Sequence, residues 1–215
     1  MGIALSIQAI SRNNHDVHPS TIKTKNESPA RNAIERGTTA LILGCMFSGK
    51  TTELIRRVAQ SPTGSVLAIK HAIDTRYASH AILSHGGTAL PATAVSAAAQ
   101  IVELIRKETR TVAIDEGHFF DLELASVICD LNERGLHVVL TSLEPDSWGR
   151  PFPINERLRE VADECVVRHA ACARCGALAD HTQRLTPIVG GNMVVDPSQY
   201  EPRCQACWRP PIQSP

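Results

Sequence analysis

This 215-residue chain is organised around the stretch Gly44-Cys45-Met46-Phe47-Ser48-Gly49-Lys50-Thr51. The stretch satisfies the pattern G-x-x-x-x-G-K-[ST] in full. Such a loop surrounds a polyphosphate with successive backbone N–H groups, which its glycines permit, and the following helix adds its positive N-terminus. Lys50 is expected to reach the β- and γ-phosphates, and the Thr51 hydroxyl is expected to bind Mg²⁺. The loop therefore predicts a nucleoside triphosphate site.

Strands and helices alternate around this loop. Residues 39–43 form a short apolar run typical of a buried parallel strand, and residues 51–58 place apolar side chains on one helical face. Further strands are predicted at 65–70, 111–115 and 137–141. Helices are predicted over 96–107, over a stretch that follows the strand at 111–115 and ends at about residue 134, and over 154–164. Alternation of this kind needs crossover connections, so the predicted fold class is α/β with a mostly parallel sheet and helices on both faces.

Two acidic residues stand at the end of the strand at 111–115. Asp115 is expected to hold Mg²⁺, because ligands collect at the carboxyl ends of strands in open α/β sheets. Glu116 has two possible uses. A kinase needs a carboxylate that accepts the proton of the attacking hydroxyl, whereas an ATPase needs one that orients water. The residues alone predict phosphoryl transfer and leave both acceptors open.

Four of the seven cysteines form two C-x-x-C pairs, Cys172 with Cys175 and Cys204 with Cys207. Four thiolates complete a tetrahedral shell, so the pattern predicts a structural Zn²⁺ with no position open for substrate. Redox motifs or disulfides are the alternatives, and they are disfavoured by the repeated spacing and by the reducing, intracellular compartment that we expect for this chain. The other three, Cys45, Cys129 and Cys165, lie in apolar or helical contexts and are predicted to be core residues.

Composition excludes several classes of protein. The 22 Lys and Arg residues balance the 22 Asp and Glu residues, which argues against a chain that coats nucleic acid electrostatically. No apolar run approaches the roughly 18 residues of a membrane span, and residues 1–10 lack the basic start of a signal peptide. The chain is expected to be cytoplasmic, without nucleic acid or membrane partners. Residues 1–36 are polar and aperiodic, and are predicted to be a disordered extension.

Together the motifs resemble the thymidine kinase family of the cellular, zinc-containing type, over about residues 38–208. Besides the phosphate loop, which continues through Thr52-Glu53-Leu54, and the first cysteine pair, the resemblance rests on Asp74-Thr75-Arg76-Tyr77, Ser84-His85-Gly86, residues 115–120, Gly149-Arg150-Pro151-Phe152, Thr182-Gln183-Arg184-Leu185 and residues 200–204. It implies a RecA-like P-loop domain at 37–168 and a small zinc-binding lasso domain at 169–208 that closes over the thymine base, followed by a flexible tail at 209–215.

The resemblance also implies a reaction and roles for single residues. ATP and thymidine, and by extension deoxyuridine, would give the nucleoside monophosphate and ADP, with Glu116 as base, Lys50 and Arg76 neutralising the transferring phosphoryl group, and Thr51 and Asp115 holding Mg²⁺. The implied ATP-binding residues are Gly44, Cys45, Met46, Phe47, Ser48, Gly49, Lys50, Thr51, Asp115, Glu116, Gly117 and His118. The implied base-pocket residues are Met46, Phe119, Leu143, Phe152, Thr182 and Tyr200. A homotetramer and feedback inhibition by thymidine triphosphate are implied as well.

Two departures from the family pattern bear on the rival interpretations. His118 replaces the more usual glutamine and Ser147 replaces a usual aromatic residue. Among the alternatives to an active kinase, these changes favour a degenerate member of the family that serves as a regulatory nucleotide sensor. A nucleic-acid-binding ATPase with a zinc ribbon is the other alternative, and the neutral charge and few aromatic residues disfavour it.

Overall fold

A six-stranded parallel sheet lies at the centre of the molecule. The structure is a computed structural model that describes residues 35–74, 80–84, 86–187 and 196–211. The described residues contain twelve strands, of which six form this sheet. In chain order the strands are β1 (Thr39–Gly44), β2 (Val66–His71), β3 (Ala81–Leu83), β4 (Ala89–Pro91), β5 (Thr93–Val95), β6 (Thr111–Asp115), β7 (His137–Leu143), β8 (Glu164–Arg168), β9 (Ala170–Ala171), β10 (Leu178–Ala179), β11 (His181–Arg184) and β12 (Tyr200–Arg203). The sheet runs in the order β5-β2-β6-β7-β1-β8, and each neighbouring pair is parallel. The predicted α/β fold with a parallel sheet is confirmed.

Helices cover both faces of this sheet. They are α1 (Lys50–Val58), α2 (Ala99–Glu103), α3 (Glu123–Glu133) and α4 (Pro153–Val161), with short 3-10 helices at Gly117–Phe119 and Pro197–Gln199. Leu41 and Leu43 of β1 face the core shared with α3 and α4, whereas Ile42 faces the core shared with α1. Successive strand residues point to opposite faces, so a strand buried on both sides reads as a continuous apolar run.

Two predicted helices end earlier than expected. The helix predicted to reach residue 107 ends at Glu103, and the Thr109 hydroxyl accepts the Arg106 N–H, a local bond that competes with helix continuation. The helix predicted to reach residue 164 ends at Val161, and the chain enters β8, an edge strand that sequence reasoning missed. Cys165 lies in β8 and is exposed, so its prediction as a core residue is wrong. Cys45 is buried, as predicted.

The C-terminal segment folds into two small antiparallel ladders. β9 pairs with β10, and β11 pairs with β12. The predicted boundary between domains at 168 and 169 stays a prediction. Of the predicted N-terminal extension, only residues 35 and 36 belong to the described part of the chain, where Arg36 forms an ion pair with Asp163 at 3.0 Å. Among the described residues, no helix combines the length and the apolar character required to cross a bilayer.

Charged side chains tie α1, the helix that follows the phosphate loop, to the edge strand β8. Glu53 accepts hydrogen bonds from Arg56 and Arg57, and Arg57 in turn donates to Glu164 at 2.6 and 2.9 Å. The two hydrogen bonds from Arg56, and then the one from Arg57, outweigh the effect of burial and lower the pKa of Glu53 from 4.5 to about 2. Glu53 is therefore ionised in the folded state at every pH at which the protein is expected to be folded.

We expect Glu53→Gln to lower the free energy of unfolding by about 1 kcal/mol at neutral pH, since water screens part of the interaction. A carboxyl with a lowered folded-state pKa adds stability above its unfolded value, and that stability is lost as the pH falls through the folded value. The difference between variant and wild type should therefore shrink as the pH falls from 4.5 towards about 2. Urea unfolding at several pH values measures it. Glu160→Gln, which removes the exposed ion pair with Arg157, should change stability little at any pH.

Candidate active site

The phosphate loop leaves β1 through Gly44 and enters α1 through Gly49. A Cβ on Gly44 would lie 2.3 Å from the Arg168 carbonyl oxygen, so no larger residue fits there. Gly49 has φ of 77°, a left-handed conformation that costs glycine little. The Ser48 hydroxyl is buried and forms no hydrogen bond within the described residues. A buried polar atom of this kind beside the first turn of α1 fits a loop that receives an anion.

Lys50 and Thr51, the first residues of α1, connect the loop to the acidic end of β6. The Lys50 ammonium donates to the Cys45 carbonyl oxygen at 2.9 Å, so it lies across the loop. The Thr51 hydroxyl donates to the Asp115 carboxylate at 3.2 Å. The structure thus brings together the two residues predicted to bind Mg²⁺, and hydroxyl and carboxylate oxygens are ligands that this ion accepts.

Thr141 of β7 positions both acidic residues, and sequence reasoning missed it. Its hydroxyl donates to Asp115 Oδ1 at 2.5 Å and accepts the Glu116 backbone N–H at 2.9 Å. Glu116 itself has φ of 54°, an uncommon conformation for a residue with a side chain. Strain of this kind is often found at functional sites. Thr141 reads in the sequence only as a strand former, so no local pattern identifies its role.

His118 lies beside Glu116 and the predicted base pocket. Its Nδ1 is 3.4 Å from Glu116 Oε2 and accepts the Leu143 backbone N–H at 3.2 Å. Its ring centroid lies 4.2 Å from that of Phe119 and 4.8 Å from that of Phe152. His118 therefore brings three residues of the predicted thymine pocket, Phe119, Leu143 and Phe152, close to Glu116, the predicted general base.

A second part of the predicted pocket joins the C-terminal segment to the phosphate loop. The Met46 backbone N–H donates to the Thr182 hydroxyl at 3.0 Å, and the Cys45 thiol donates to the Ala179 carbonyl at 3.5 Å. Burial raises the pKa of the Cys45 thiol, so the group is neutral and acts as a donor. Tyr200, on β12, lies under the Arg184 guanidinium, which is 5.7 Å from its ring centroid. Loop and C-terminal segment are thus packed as one structure.

A cavity opens between the phosphate loop and the ends of β2 and β6. Its walls are formed by Met46, Phe47, Gly49, Lys50, Thr51, Thr52, Lys70, Asp74, Ala81, Ile82, Leu83, Asp115, Glu116 and Pro197. Arg76, the predicted second catalytic cation, lies outside the described residues, as do Thr75, Tyr77 and His85 of the family motifs. The cavity places the loop and both acidic residues around one space.

The four predicted metal ligands lie together at the ends of β9 and β12. Their sulfur atoms lie within 4.8 Å of one another, and the Cys175 and Cys204 sulfurs are 3.6 Å apart. A tetrahedral zinc site has Zn–S bonds of about 2.3 Å, hence sulfurs about 3.8 Å apart. All four cysteines are free. Burial raises the pKa of the Cys172 thiol, but backbone N–H groups of Cys204, Arg174 and Cys175 outweigh it and lower the value to about 6. The cluster can hold a metal ion.

Comparison with known proteins gives a consistent result. The family model described as thymidine kinase matches residues 37–208. A thymidine kinase of Bdellovibrio bacteriovorus is 37% identical over 182 residues, which cover 84% of this chain and 89% of the relative. A thymidine kinase of a Rhodothermus species is 40% identical over 173 residues, 80% of this chain and 81% of the relative. A thymidine kinase of Bacteroides fragilis is 37% identical over 180 residues, 83% of this chain and 90% of the relative.

Proposed function

Because the chain belongs to the thymidine kinase family, we propose that it transfers the γ-phosphate of ATP to the 5′-hydroxyl of thymidine, giving dTMP and ADP in pyrimidine salvage. Deoxyuridine, which differs from thymidine by one methyl group, is proposed as a second substrate. The observation that carries the proposal is the junction of Thr51, Asp115 and Glu116 at one end of the cavity beside the phosphate loop. A phosphate donor, its metal ion and a base for the acceptor can meet there.

The phosphate loop, residues 44–51, would bind the triphosphate, with Gly117 and His118 completing the nucleotide site. Mg²⁺ would be held by Thr51 and Asp115, and it supplies positive charge that offsets the phosphate oxygens. Lys50 would reach the β- and γ-phosphates from its position across the loop. Arg76 is proposed as the second cation on the transferring group on the basis of the family motif alone.

Glu116 is proposed as the general base. Its carboxylate would accept the 5′-hydroxyl proton while that oxygen forms a bond to the γ-phosphorus and the bond to the ADP oxygen breaks. Thr141 would fix the base by holding its backbone N–H, and the same hydroxyl aligns Asp115. One side chain on β7 would thus set the separation between the proposed metal ligand and the proposed base.

The thymine base is proposed to lie between the residue group around His118 and the C-terminal segment. Phe119, Leu143 and Phe152 would supply apolar walls, and Met46, Thr182 and Tyr200 would close the other side. Flat pyrimidines are held mainly by packing against such walls. Residues 169–208 would form the lasso domain that covers the base, with a structural zinc ion on Cys172, Cys175, Cys204 and Cys207.

We further propose a homotetramer, feedback inhibition by thymidine triphosphate in the substrate pocket, and a cytoplasmic location. The first two follow from family membership. A reducing compartment such as the cytoplasm keeps thiols free, as zinc binding requires, and this supports the third.

Phosphate transfer from ATP in the presence of Mg²⁺ to thymidine, deoxyuridine and deoxycytidine tests the proposal directly. We expect dTMP and ADP in equal amounts, a lower rate with deoxyuridine and no product with deoxycytidine. ADP formed without a nucleoside and stimulated by single-stranded DNA would instead indicate the nucleic-acid-binding ATPase. ATP binding with no turnover on any nucleoside would indicate a nucleotide sensor.

A further inference from the structure

Lys70 is a buried lysine in the wall of the phosphate cavity. It lies near the carboxyl end of β2 and is only 2% exposed, yet it lines the same cavity as Lys50, Thr51 and Asp115. In the sheet it is the register partner of Asp115. Lysine is rarely buried this fully unless it has a charged partner or a function.

Asp74 is the charged partner that the structure shows. Its Oδ2 lies 3.7 Å from Lys70 Nζ, and Asp74 is itself only 5% exposed. This separation permits an ion pair but exceeds hydrogen-bond distance. An ammonium group has three N–H donors, and within the described ranges Lys70 Nζ forms no hydrogen bond to another residue. Buried donors are normally satisfied, so Lys70 has donors available to a ligand in the cavity.

The strand order places this ammonium on the opposite side of the acidic residues from the phosphate loop. β6, which ends in Asp115, lies between β2 on one side and β7 and β1 on the other. Lys50 follows β1, whereas Lys70 belongs to β2. A phosphoryl group bound beside Asp115 therefore meets one lysine from each side.

We propose that Lys70 is a further phosphate-binding residue, which contacts oxygens of the transferring phosphoryl group while Asp74 holds its ammonium in place. This inference rests on the proposed kinase activity. During transfer, negative charge spreads over the phosphoryl oxygens, and Asp74, Asp115 and Glu116 place three further carboxylates around the cavity. Lys70 offsets that charge at a fixed position, which is how preorganised groups stabilise such a transition state. The alternative is that Lys70 only neutralises Asp74.

The experiment compares Lys70→Met, Asp74→Asn and the double variant with wild type. Lys70→Met should lower kcat by about 10²- to 10³-fold, the usual effect of removing one preorganised donor. It should weaken Mg-ATP binding by about tenfold and leave thymidine binding unchanged. Lys70→Arg, which keeps the charge, should recover part of kcat. Lys107→Met, the same change at an exposed lysine, is the matched control and should behave as wild type.

The double variant Lys70→Met/Asp74→Asn separates the two explanations, because it removes both charges and leaves neither one buried alone. If Lys70 acts on phosphate, the double variant has a lower kcat and a lower Mg-ATP affinity than Asp74→Asn, which keeps the ammonium. If Lys70 only neutralises Asp74, the double variant and Asp74→Asn have the same kcat and the same Mg-ATP affinity, and the inference is wrong. Mg-ATP affinity by calorimetry decides this even if wild type phosphorylates no nucleoside, an outcome that would instead contradict the proposed function.

Discussion

Glu116→Gln is expected to slow dTMP formation by about 10²- to 10⁴-fold, the range over which a positioned general base contributes. Glutamine has nearly the same shape, but its amide cannot accept the proton of the 5′-hydroxyl. The backbone bond from residue 116 to Thr141 does not involve the side chain, so the local conformation should persist. Mg-ATP affinity should stay constant or rise, because one negative charge beside the phosphates is removed. Single-turnover kinetics with saturating thymidine measures the chemical step.

Glu123→Gln is the matched control for this variant. Glu123 is exposed in the first turn of α3, seven positions further along the chain, and the same change there should leave the rate at the wild-type value. If Glu116→Gln retained the wild-type rate while Mg-ATP and thymidine still bound, Glu116 could not be the base. The site would then depend on electrostatic positioning alone.

Much of this site could be predicted because its residues follow strands directly in the sequence. The phosphate loop follows β1, and Asp115 with Glu116 follows β6, so an apolar run and the polar residues after it are enough to identify both. The parallel arrangement then requires these ends to meet at one edge of the sheet. The cysteine cluster was predictable for a similar reason, since each C-x-x-C pair is a local pattern.

The residues that sequence reasoning missed depend on neighbours from distant parts of the chain. Thr141 reaches Asp115 because β7 lies beside β6, and Lys70 lies next to Asp115 because β2 is on the other side of β6. Neither neighbour relation follows from local periodicity. Cys165 shows the same limit, because the strand that contains it, β8, lies at the edge of the sheet and leaves the cysteine exposed. Burial of a strand depends on its position in the sheet as well as on its composition.

Loss of the metal is expected to have the largest effect on stability. Cys204→Ser removes one of the four thiolates, and structural zinc contributes about 10–16 kcal/mol to the folding of zinc-finger peptides. Even a fraction of that free energy, several kcal/mol, should lower the thermal midpoint by about 10 °C or more in a chain of this size. Zinc content by elemental analysis should fall from one ion per chain to none. Cys165→Ser, at an exposed cysteine outside the cluster, should keep both zinc and stability.

The loss of stability on removing the metal should extend beyond the C-terminal segment, because that segment is hydrogen-bonded to the phosphate loop. The Thr182 hydroxyl accepts the Met46 N–H, and the Ala179 carbonyl accepts the Cys45 thiol. β11, which carries Thr182, pairs with β12, and Cys204 follows β12 directly. Without the metal the end of β12 is no longer fixed, and the pairing of β11 with β12 is weakened. Mg-ATP binding should therefore weaken together with thymidine binding. If Cys204→Ser lost zinc and thymidine affinity but bound Mg-ATP as wild type does, the loop would be stable by itself and the coupling through Thr182 would be refuted.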